Sequence, residues 1–354
     1  MKIPVLLPNI FDHPFTYSSN LNLNVGDYVL VPFGKSKMIG VVWDELEKVK
    51  KKNFVTKKII KKLNIPPLNL KTLNFLNWFS EYNLISKGMC LKLHMLSNQP
   101  LEQLKVSEFE SYKKSSKIQR YVLSEEQEKA LNSINNIKNK FRVHLLQGTT
   151  GSGKTIVYFN SIKNIVKKNQ QALILLPEIG LTSEFQKKFK DFFGFESAVW
   201  HSGISKKNKA IIWSGLAGGD IKVVIGARSA LFLPFKKLGI IIVDEEHDQS
   251  FKQDEGIIYN ARDMAIARAK YENIPINLVT AIPSLETYEN VKKGKYYHSR
   301  LIKRYKNAML PQHEIIDLKK YKLEKNSSIS SKTLEKVNFH LDRGDQVLFF
   351  LNRR

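Results

Sequence analysis

The stretch Val143-His-Leu-Leu-Gln147 followed by Gly148-Thr149-Thr150-Gly151-Ser152-Gly153-Lys154-Thr155 decides how the rest of this chain is read. The first five residues form an apolar run of buried-strand length, and Ile156 to Val166 has the spacing of a helix. A glycine-rich loop between a strand and a helix is a phosphate cradle. Gly148, Gly151 and Gly153 permit a tight turn whose N–H groups point at phosphate oxygens, assisted by the positive end of the helix dipole. In that frame Lys154 reaches the β- and γ-phosphates and Thr155 ligates Mg²⁺, so ATP with Mg²⁺ is the expected ligand.

Downstream, short β-rich runs alternate with helical stretches. Residues 172–176, 221–225, 238–243, 276–280 and 346–351 read as strands. This alternation predicts an α/β fold with a parallel sheet, whose ligands gather at the carboxyl ends of the strands. The run 238–243 passes straight into Asp244-Glu245-Glu246-His247, four polar residues where a buried strand ends. Asp244 is expected to hold Mg²⁺ through water, Glu245 to polarise the water attacking the γ-phosphate, and His247 to link the site to whatever the protein grips. The plain alternative for these carboxylates is an acidic helix start.

With 354 residues, 42% of them apolar, the chain has room for two or three domains. Its 57 Lys and Arg against 33 Asp and Glu leave a net charge of +24, which points to a polyanionic partner, nucleic acid being the commonest. Part of that excess is lysine in a chain also rich in Asn and Ile. A lone cysteine, Cys90, excludes an intramolecular disulfide or a cysteine-built zinc site within these residues and fits a reducing cytoplasm. The apolar run at the start is too short for a signal peptide, and nowhere do 18 apolar residues follow one another, so no membrane role is expected.

The front of the chain is mainly β, with a hairpin over 25–43 turning at Gly34-Lys-Ser-Lys37. A lysine-rich stretch, an apolar helical segment at 70–84 and a polar linker follow. Ser124 with Gln127 is a capping box, and Gln127 equally stands ahead of the phosphate loop where its amide would read the edge of adenine; the sequence leaves both open.

Asp-Glu-x-His after a phosphate loop resembles superfamily 2 helicases, and several spaced stretches resemble one group of them, the bacterial replication-restart (PriA) helicase family. These are Gly148 to Tyr158, Leu176 to Thr182, His201 to Ser205, Ile225 to Phe232, Asp244 to Asp248, Tyr259 to Arg262 and Gln346 to Arg354. In front, Val25 to Gly34 resembles the family's module that captures the 3′ end of a nascent strand at a fork. The resemblance implies a RecA-like parallel-sheet helicase lobe preceded by a small mainly β DNA-binding domain, with a second lobe only begun. Expected boundaries are 1–99 for the 3′-end domain, 100–120 for a linker, 121–300 for the ATP-binding lobe and 301–354 for the interlobe segment and start of lobe 2.

The resemblance also implies an activity: an ATP-dependent 3′-to-5′ DNA helicase of the replication-restart primosome that recognises stalled forks and initiates primosome assembly. Its partners would be branched and single-stranded DNA, other primosome proteins, the replicative helicase loader and single-stranded DNA-binding protein. Residues 177–182, His201, Ser202, Arg228 and Ser229 would grip the backbone of single-stranded DNA. Phe251, Lys252, Tyr259 and Arg262 match an aromatic-rich loop where rings stack on bases and cations hold phosphates, with a core or cap role as the alternative for the two aromatics. Phe15, Tyr17, Gly34 and Lys57 match the pocket for the terminal nucleotide, with a plain β-core role as the alternative for the two rings.

Departures accompany the match. Thr16 stands where the family has an acidic residue that reads the terminal base, and Thr280-Ala281-Ile282 replaces Ser-Ala-Thr. A winged-helix domain is expected to be missing between the front module and the lobe. Zinc is expected in the full-length family, but no ligands for it are present in these residues, and the rest of lobe 2 and a late arginine motif are likewise expected from the family and not found before Arg354. The chain is therefore expected to be truncated and poorly active alone. The alternative function is a fork- or strand-end-binding module with a vestigial ATPase; a small-molecule P-loop kinase fits less well, having no need of the Asp-Glu-Glu-His run.

Overall fold

Alternating apolar residues at the front form an antiparallel sheet of β1 (Lys2–Leu6), β2 (Phe15–Ser18), β3 (Tyr28–Phe33), β4 (Ser36–Val42) and β5 (Lys61–Lys62), in the order β2-β1-β4-β3-β5. These coordinates are a computed structural model, which describes residues 1–44, 56–95, 112, 119, 121–136, 140–304, 312–323 and 327–350. The hairpin of β3 and β4 closes with Phe33 opposite Ser36, so its loop is Gly34-Lys35, and Gly34 takes the left-handed φ of 58° that such a turn needs. Two helices follow, α1 (Leu70–Asn83) and α2 (Lys87–His94). Asn69 and Ser86 cap them, each accepting a backbone N–H of the first turn.

The remainder of this unit is the α/β lobe. Its elements are α3 (Glu125–Asn135), β6 (Arg142–Gly148), α4 (Lys154–Lys167), β7 (Gln171–Leu175), α5 (Ser183–Phe193), β8 (Ala198–Trp200), α6 (Lys206–Gly218), β9 (Val223–Gly226), β10 (Leu238–Asp244), β11 (Lys252–Gln253), β12 (Tyr259–Asn260), α7 (Ala261–Glu272), β13 (Pro275–Thr280), α8 (Leu285–Lys292) and β14 (Tyr297–Leu301). Seven strands, ordered β14-β6-β13-β10-β7-β9-β8, form a wholly parallel sheet. Every residue of β7, β9, β10 and β13 is buried, as expected of strands covered by helices on both faces. Phe159 of α4 is fully buried and its ring meets Phe185, Phe189, Phe192 and Phe193 at centroid distances of 5.3–5.8 Å, which seats α5 on the phosphate-loop helix.

Met1–Asn307 forms one compact unit and Ala308–Arg354 another. The second carries α9 (Ser331–Asp342), capped by Ser330. The strand expected over 346–351 does not form in the described part, 346–350. Leu348 and Phe350 are 93% and 89% exposed, and no strand of this unit is described that would pair with them. Most of the expected linker, apart from residues 112 and 119, lies outside the described residues, as does the last strand residue, 351.

Within Met1–Asn307 the front module is joined to the lobe by buried polar side chains. Thr72 Oγ1 donates to Glu272 Oε1 at 3.1 Å and Lys71 Nζ to Glu272 O at 2.9 Å, where α1 packs on α7. Arg268, fully buried, donates to the carbonyls of Leu231 and Leu233 and lies over the Phe75 and Phe235 rings. His94, at the end of α2, bridges Tyr28 Oη and the Phe232 carbonyl, each at 2.8 Å, and its own carbonyl accepts from Trp213 Nε1. Burial pushes the imidazole down to about 4, outweighing the Phe232 hydrogen bond. The neutral ring must donate from Nδ1 to that carbonyl, so Nε2 accepts from Tyr28.

A histidine held neutral in the fold but free to protonate when unfolded stabilises fully above its unfolded value and less as pH falls toward 4, by up to about 3 kcal/mol. His94→Gln removes that titration. The expected outcome is an unfolding midpoint that changes less than that of the wild type between about pH 6.5 and 4; parallel profiles would contradict it.

Candidate functional site

The sequence-predicted residues of the lobe meet along one edge, the carboxyl ends of the parallel strands. The phosphate loop leaves β6, Thr280 ends β13, Asp244 ends β10, the Pro177–Thr182 segment leaves β7, Arg228 follows β9 and His201 follows β8. A cavity of about 350 Å³ opens there, lined by Thr150, Gly151, Gly153, Lys154, Thr155, Ile156, Asp244, Glu245, Gln127, Lys188, Tyr121 and Val122.

Gly151 and Gly153 both have φ +82°, and a Cβ on Gly153 would lie 2.3 Å from Gln127 Nε2. That contact locates Gln127. Its capping box with Ser124 is complete, Oε1 accepting from Ser124 N at 2.9 Å, while Nε2 donates to Ser152 O at 2.8 Å. The amide therefore ties α3 to the phosphate loop while still lining the cavity. Lys154 Nζ folds onto the loop, donating to Gly148 O at 2.7 Å and Thr149 O at 3.4 Å. Ser152 Oγ is buried without a partner among the described residues.

Asp244 sits at the floor of the cavity. Tyr158 donates its hydroxyl to Asp244 Oδ2 at 2.8 Å and also interacts with the Thr155 hydroxyl, so the two groups expected to share Mg²⁺ are already brought together by one buried phenol. An oxygen pair of this kind suits a hard divalent ion that completes its shell with phosphate and water. Burial raises the Asp244 carboxyl to about 6. The Tyr158 hydrogen bond and Lys154 act in the opposite direction, and neighbouring Glu245 adds to the rise.

The four residues of Asp244 to His247 point four ways. Glu245 has a left-handed φ of 51°, a strained backbone for a side chain with a Cβ, and this sharp turn leaves its carboxylate half exposed at the cavity mouth. Glu246 turns inward. Fully buried, it accepts from Ser284 N at 2.8 Å, Ser284 Oγ at 3.0 Å, Thr287 Oγ1 at 3.0 Å and Arg262 Nη1 at 3.3 Å. His247 Nδ1 lies 2.7 Å from Thr280 Oγ1, whose proton goes to Ile282 O, so Nδ1 is the donor. The hydroxyl kept in Thr280-Ala281-Ile282 is thus the partner of His247.

On the far half of the edge, His201 Nδ1 accepts from Gly203 N, and Ser229 Oγ accepts from Trp200 Nε1 at 3.1 Å. Arg228 Nη1 donates to the carbonyl of Lys252, whose ammonium pairs with Asp254 at 3.0 Å. The aromatic loop is placed differently from the expectation. Phe251 is 1% exposed, and Tyr259 is 4% exposed with its ring against Phe79 and Phe232; both are in the core, so neither ring is presented for base stacking in this structure. Arg262 is likewise buried, engaged with Glu246, Asp263 and Ser284 rather than open to a phosphate. Phe79 of α1 and Phe232 hold the Tyr259 ring in, and Phe251 lies in the same apolar core.

In the front module, Lys57 Nζ donates to Gly34 O at 3.3 Å, and Tyr17 Oη donates to Pro32 O at 3.1 Å. The Tyr17 ring is only 4% exposed and belongs to the sheet's core, its β-core alternative, whereas Phe15 is half-buried. Phe15 meets Phe11 and Phe33 edge-on, each at 5.4 Å, and His13 at 5.0 Å. Phe11, His13 and Phe33 were not among the expected residues; the alternate aromatic positions 11, 13 and 15 were the available signal. Tyr158, Lys188 and Glu246 were also missed: nothing local marks Tyr158 of α4 or Lys188 of α5 as lying near Asp244, or Glu246 as the carboxylate that turns inward.

Among the described residues no helix is long and apolar enough to cross a membrane, and no cluster of His, Cys, Asp and Glu is composed to hold a metal by itself. Residues 4–96 match the model of the PriA 3′ DNA-binding domain, and 120–285 match the model described as the res subunit of type III restriction enzymes. A replication restart protein PriA of Rickettsia conorii is 42% identical over 352 residues, 99% of this chain and 53% of its own length. That of Haemophilus influenzae is 32% identical over 428 aligned residues, 100% of this chain and 58% of its own length. The chain spans about half the length of these curated relatives. Among solved structures, RecG bound to a three-way DNA junction aligns with 69% of this chain and 31% of its own, at 22% identity and TM-score 0.40.

A carboxyl that binds its proton more tightly in the fold than in the unfolded chain opposes folding once ionised. As pH rises from 3.8 through about 6, Asp244 removes on the order of 2–3 kcal/mol from the stability of the nucleotide-free protein. Asp244→Asn keeps an acceptor for Tyr158 and cannot ionise. Its unfolding midpoint at neutral pH, without Mg²⁺ or nucleotide, is expected to exceed that of the wild type, with the gain vanishing below about pH 4; a pH-independent difference would contradict this.

Proposed function

Because the chain belongs to the PriA family of replication restart proteins, we propose that it is the strand-end-binding and ATP-binding part of an ATP-dependent 3′-to-5′ DNA helicase that recognises stalled forks and initiates primosome assembly. The observation that carries the reading is the convergence of Lys154, Thr155, Asp244 and Glu245 on one cavity at the carboxyl edge of the sheet, beside His201 and Arg228 on the same edge. ATP would lie on the loop 148–155 with its terminal phosphates at Lys154. Mg²⁺ would be held by Thr155 directly and Asp244 through water. Glu245 would orient the attacking water.

Coupling to DNA has a physical route in this reading. Hydrolysis changes the charge beside Asp244 and Glu245, and His247 passes any shift of that turn to Thr280 through a 2.7 Å hydrogen bond. Single-stranded DNA would cross the far half of the edge at His201, Ser202, Arg228 and Lys252. Stacking by Phe251 or Tyr259 would first require them to leave the core, so the phosphate contacts are the better supported part. The 3′ end of a nascent strand would enter the front module at Phe15, Gly34 and Lys57. There the exposed Phe11 ring and the half-buried Phe33 ring offer a face for the terminal base, and Thr16 replaces the acidic reader. Other primosome proteins, a helicase loader and single-stranded DNA-binding protein are the proposed protein partners, in the cytoplasm.

No arginine lines the cavity among the described residues. An arginine reaching a γ-phosphate across a cleft is worth on the order of 10³–10⁵ in rate where it has been dissected. A protein of these residues alone is therefore expected to bind ATP but turn it over slowly, and to bind forked DNA with an affinity that falls steeply with salt. Lys154→Ala is expected to abolish nucleotide binding and leave DNA binding unchanged, measured by fluorescence titration and fork-shift assays. DNA-stimulated turnover matching that of a complete two-lobed helicase would contradict the account of slow turnover. DNA binding without any ATP binding by the wild type would favour a strand-end-binding module with a vestigial ATPase.

A further inference from the structure

Lys188 is the one charged residue of the cavity wall that the proposed mechanism leaves unused. It projects from α5, which the Phe159 cluster clamps onto the phosphate-loop helix, and its position beside Phe185 and Phe189 leaves it half-buried. No hydrogen bond or ion pair ties its ammonium down among the described residues. Its electrostatic neighbours are Asp244 across the cavity and Glu184 one turn back on its own helix. Burial lowers its affinity for a proton while those two carboxylates raise it. A half-buried ammonium with no hydrogen-bond acceptor in place has donors that a ligand can complete.

We propose that Lys188 is a second phosphate-binding cation of the nucleotide site, contacting the terminal phosphates of a nucleoside triphosphate from the α5 wall as Lys154 does from the loop. Charge accounting supports this. With no nucleotide bound, the carboxylates of Asp244 and Glu245 face the ammonium groups of Lys154 and Lys188, so the cavity is balanced. Mg²⁺ bound at Asp244 would offset the attraction of that carboxylate for the Lys188 ammonium and leave Lys188 available to the terminal phosphates. The long, flexible stem lets the head turn toward a ligand while the apolar part stays half-buried. The proposal rests on the reading of the cavity as an ATP site.

The test is equilibrium titration of the full chain with fluorescent, non-hydrolysable ATP and with fluorescent ADP, both in Mg²⁺, for the wild type, Lys188→Met, Lys188→Arg and Lys154→Ala. Lys188→Met keeps the apolar stem and is expected to weaken the triphosphate about tenfold, the equivalent of one charge-assisted hydrogen bond, and the diphosphate less. Lys188→Arg is expected to stay within about threefold of the wild type, and the unfolding midpoint and fork affinity to remain unchanged. Triphosphate affinity of Lys188→Met equal to that of the wild type would overturn the proposal, as would equal losses for both nucleotides accompanied by a lowered midpoint. If wild type and Lys154→Ala bind nucleotide equally poorly, the ATP reading falls and this proposal with it. Wild-type binding that Lys154→Ala loses and Lys188→Met retains sinks the proposal alone.

Discussion

The arrangement of the site depends on the burial of one carboxylate, Glu246. An ionised side chain taken wholly out of water must be met by donors, and here four come from two different helices: Arg262 of α7, and Ser284 N, Ser284 Oγ and Thr287 Oγ1 at the start of α8. With Glu246 fixed inward, the chain leaving β10 has little choice. Asp244 stays at the strand end in the cavity, Glu245 takes the left-handed turn that points it at the mouth, and His247 comes back against Thr280. Removing one donor would leave a buried charge short of partners, at a cost of several kcal/mol for a broken buried pair. Catalytic geometry and the stability of the α7–α8 corner are therefore one problem.

A second constraint is the parallel sheet itself. All its strands run the same way, so the loops that follow them emerge on one edge, and the proposed nucleotide and nucleic-acid halves lie side by side without any further device. The front module is fastened to this lobe by groups that have no water to fall back on: Arg268, Glu272, Thr72 and the neutral His94. His94 holds the Phe232 carbonyl, at the end of the turn that begins with Arg228. The proposed strand-end pocket and the proposed DNA-gripping edge are thus parts of one compact unit.

Much of this was legible in the sequence where the determinants are local. Glycine spacing fixed the phosphate loop, period-2 alternation around Gly34-Lys-Ser-Lys37 located the hairpin, whose loop proves to be Gly34-Lys35, and unbroken apolar runs marked four strands within two residues of their observed limits. Ser124 and Gln127 carried a capping signal that the structure realises while also docking the amide on Ser152. What was hidden is long-range. Nothing near Glu246 distinguishes it from Glu245, because its partners lie 16 to 41 residues away. Phe251 and Tyr259 read as stackers with a core role as the alternative, because a ring in a polar loop is ambiguous until its neighbours are known, which for Tyr259 are Phe79 and Phe232. The run at 346–350 shows the converse: β propensity without a partner strand gives no strand.

The central claim, that a nucleotide binds along the carboxyl edge and is felt at the turn shared by Glu245, Glu246 and His247, is tested most directly by amide hydrogen exchange of the full chain with and without a non-hydrolysable ATP analogue and Mg²⁺. Slowed exchange is expected in 148–158, 244–248 and 280–287 together, with the front sheet unaffected. Protection confined to other segments, or none at saturating nucleotide, would contradict it.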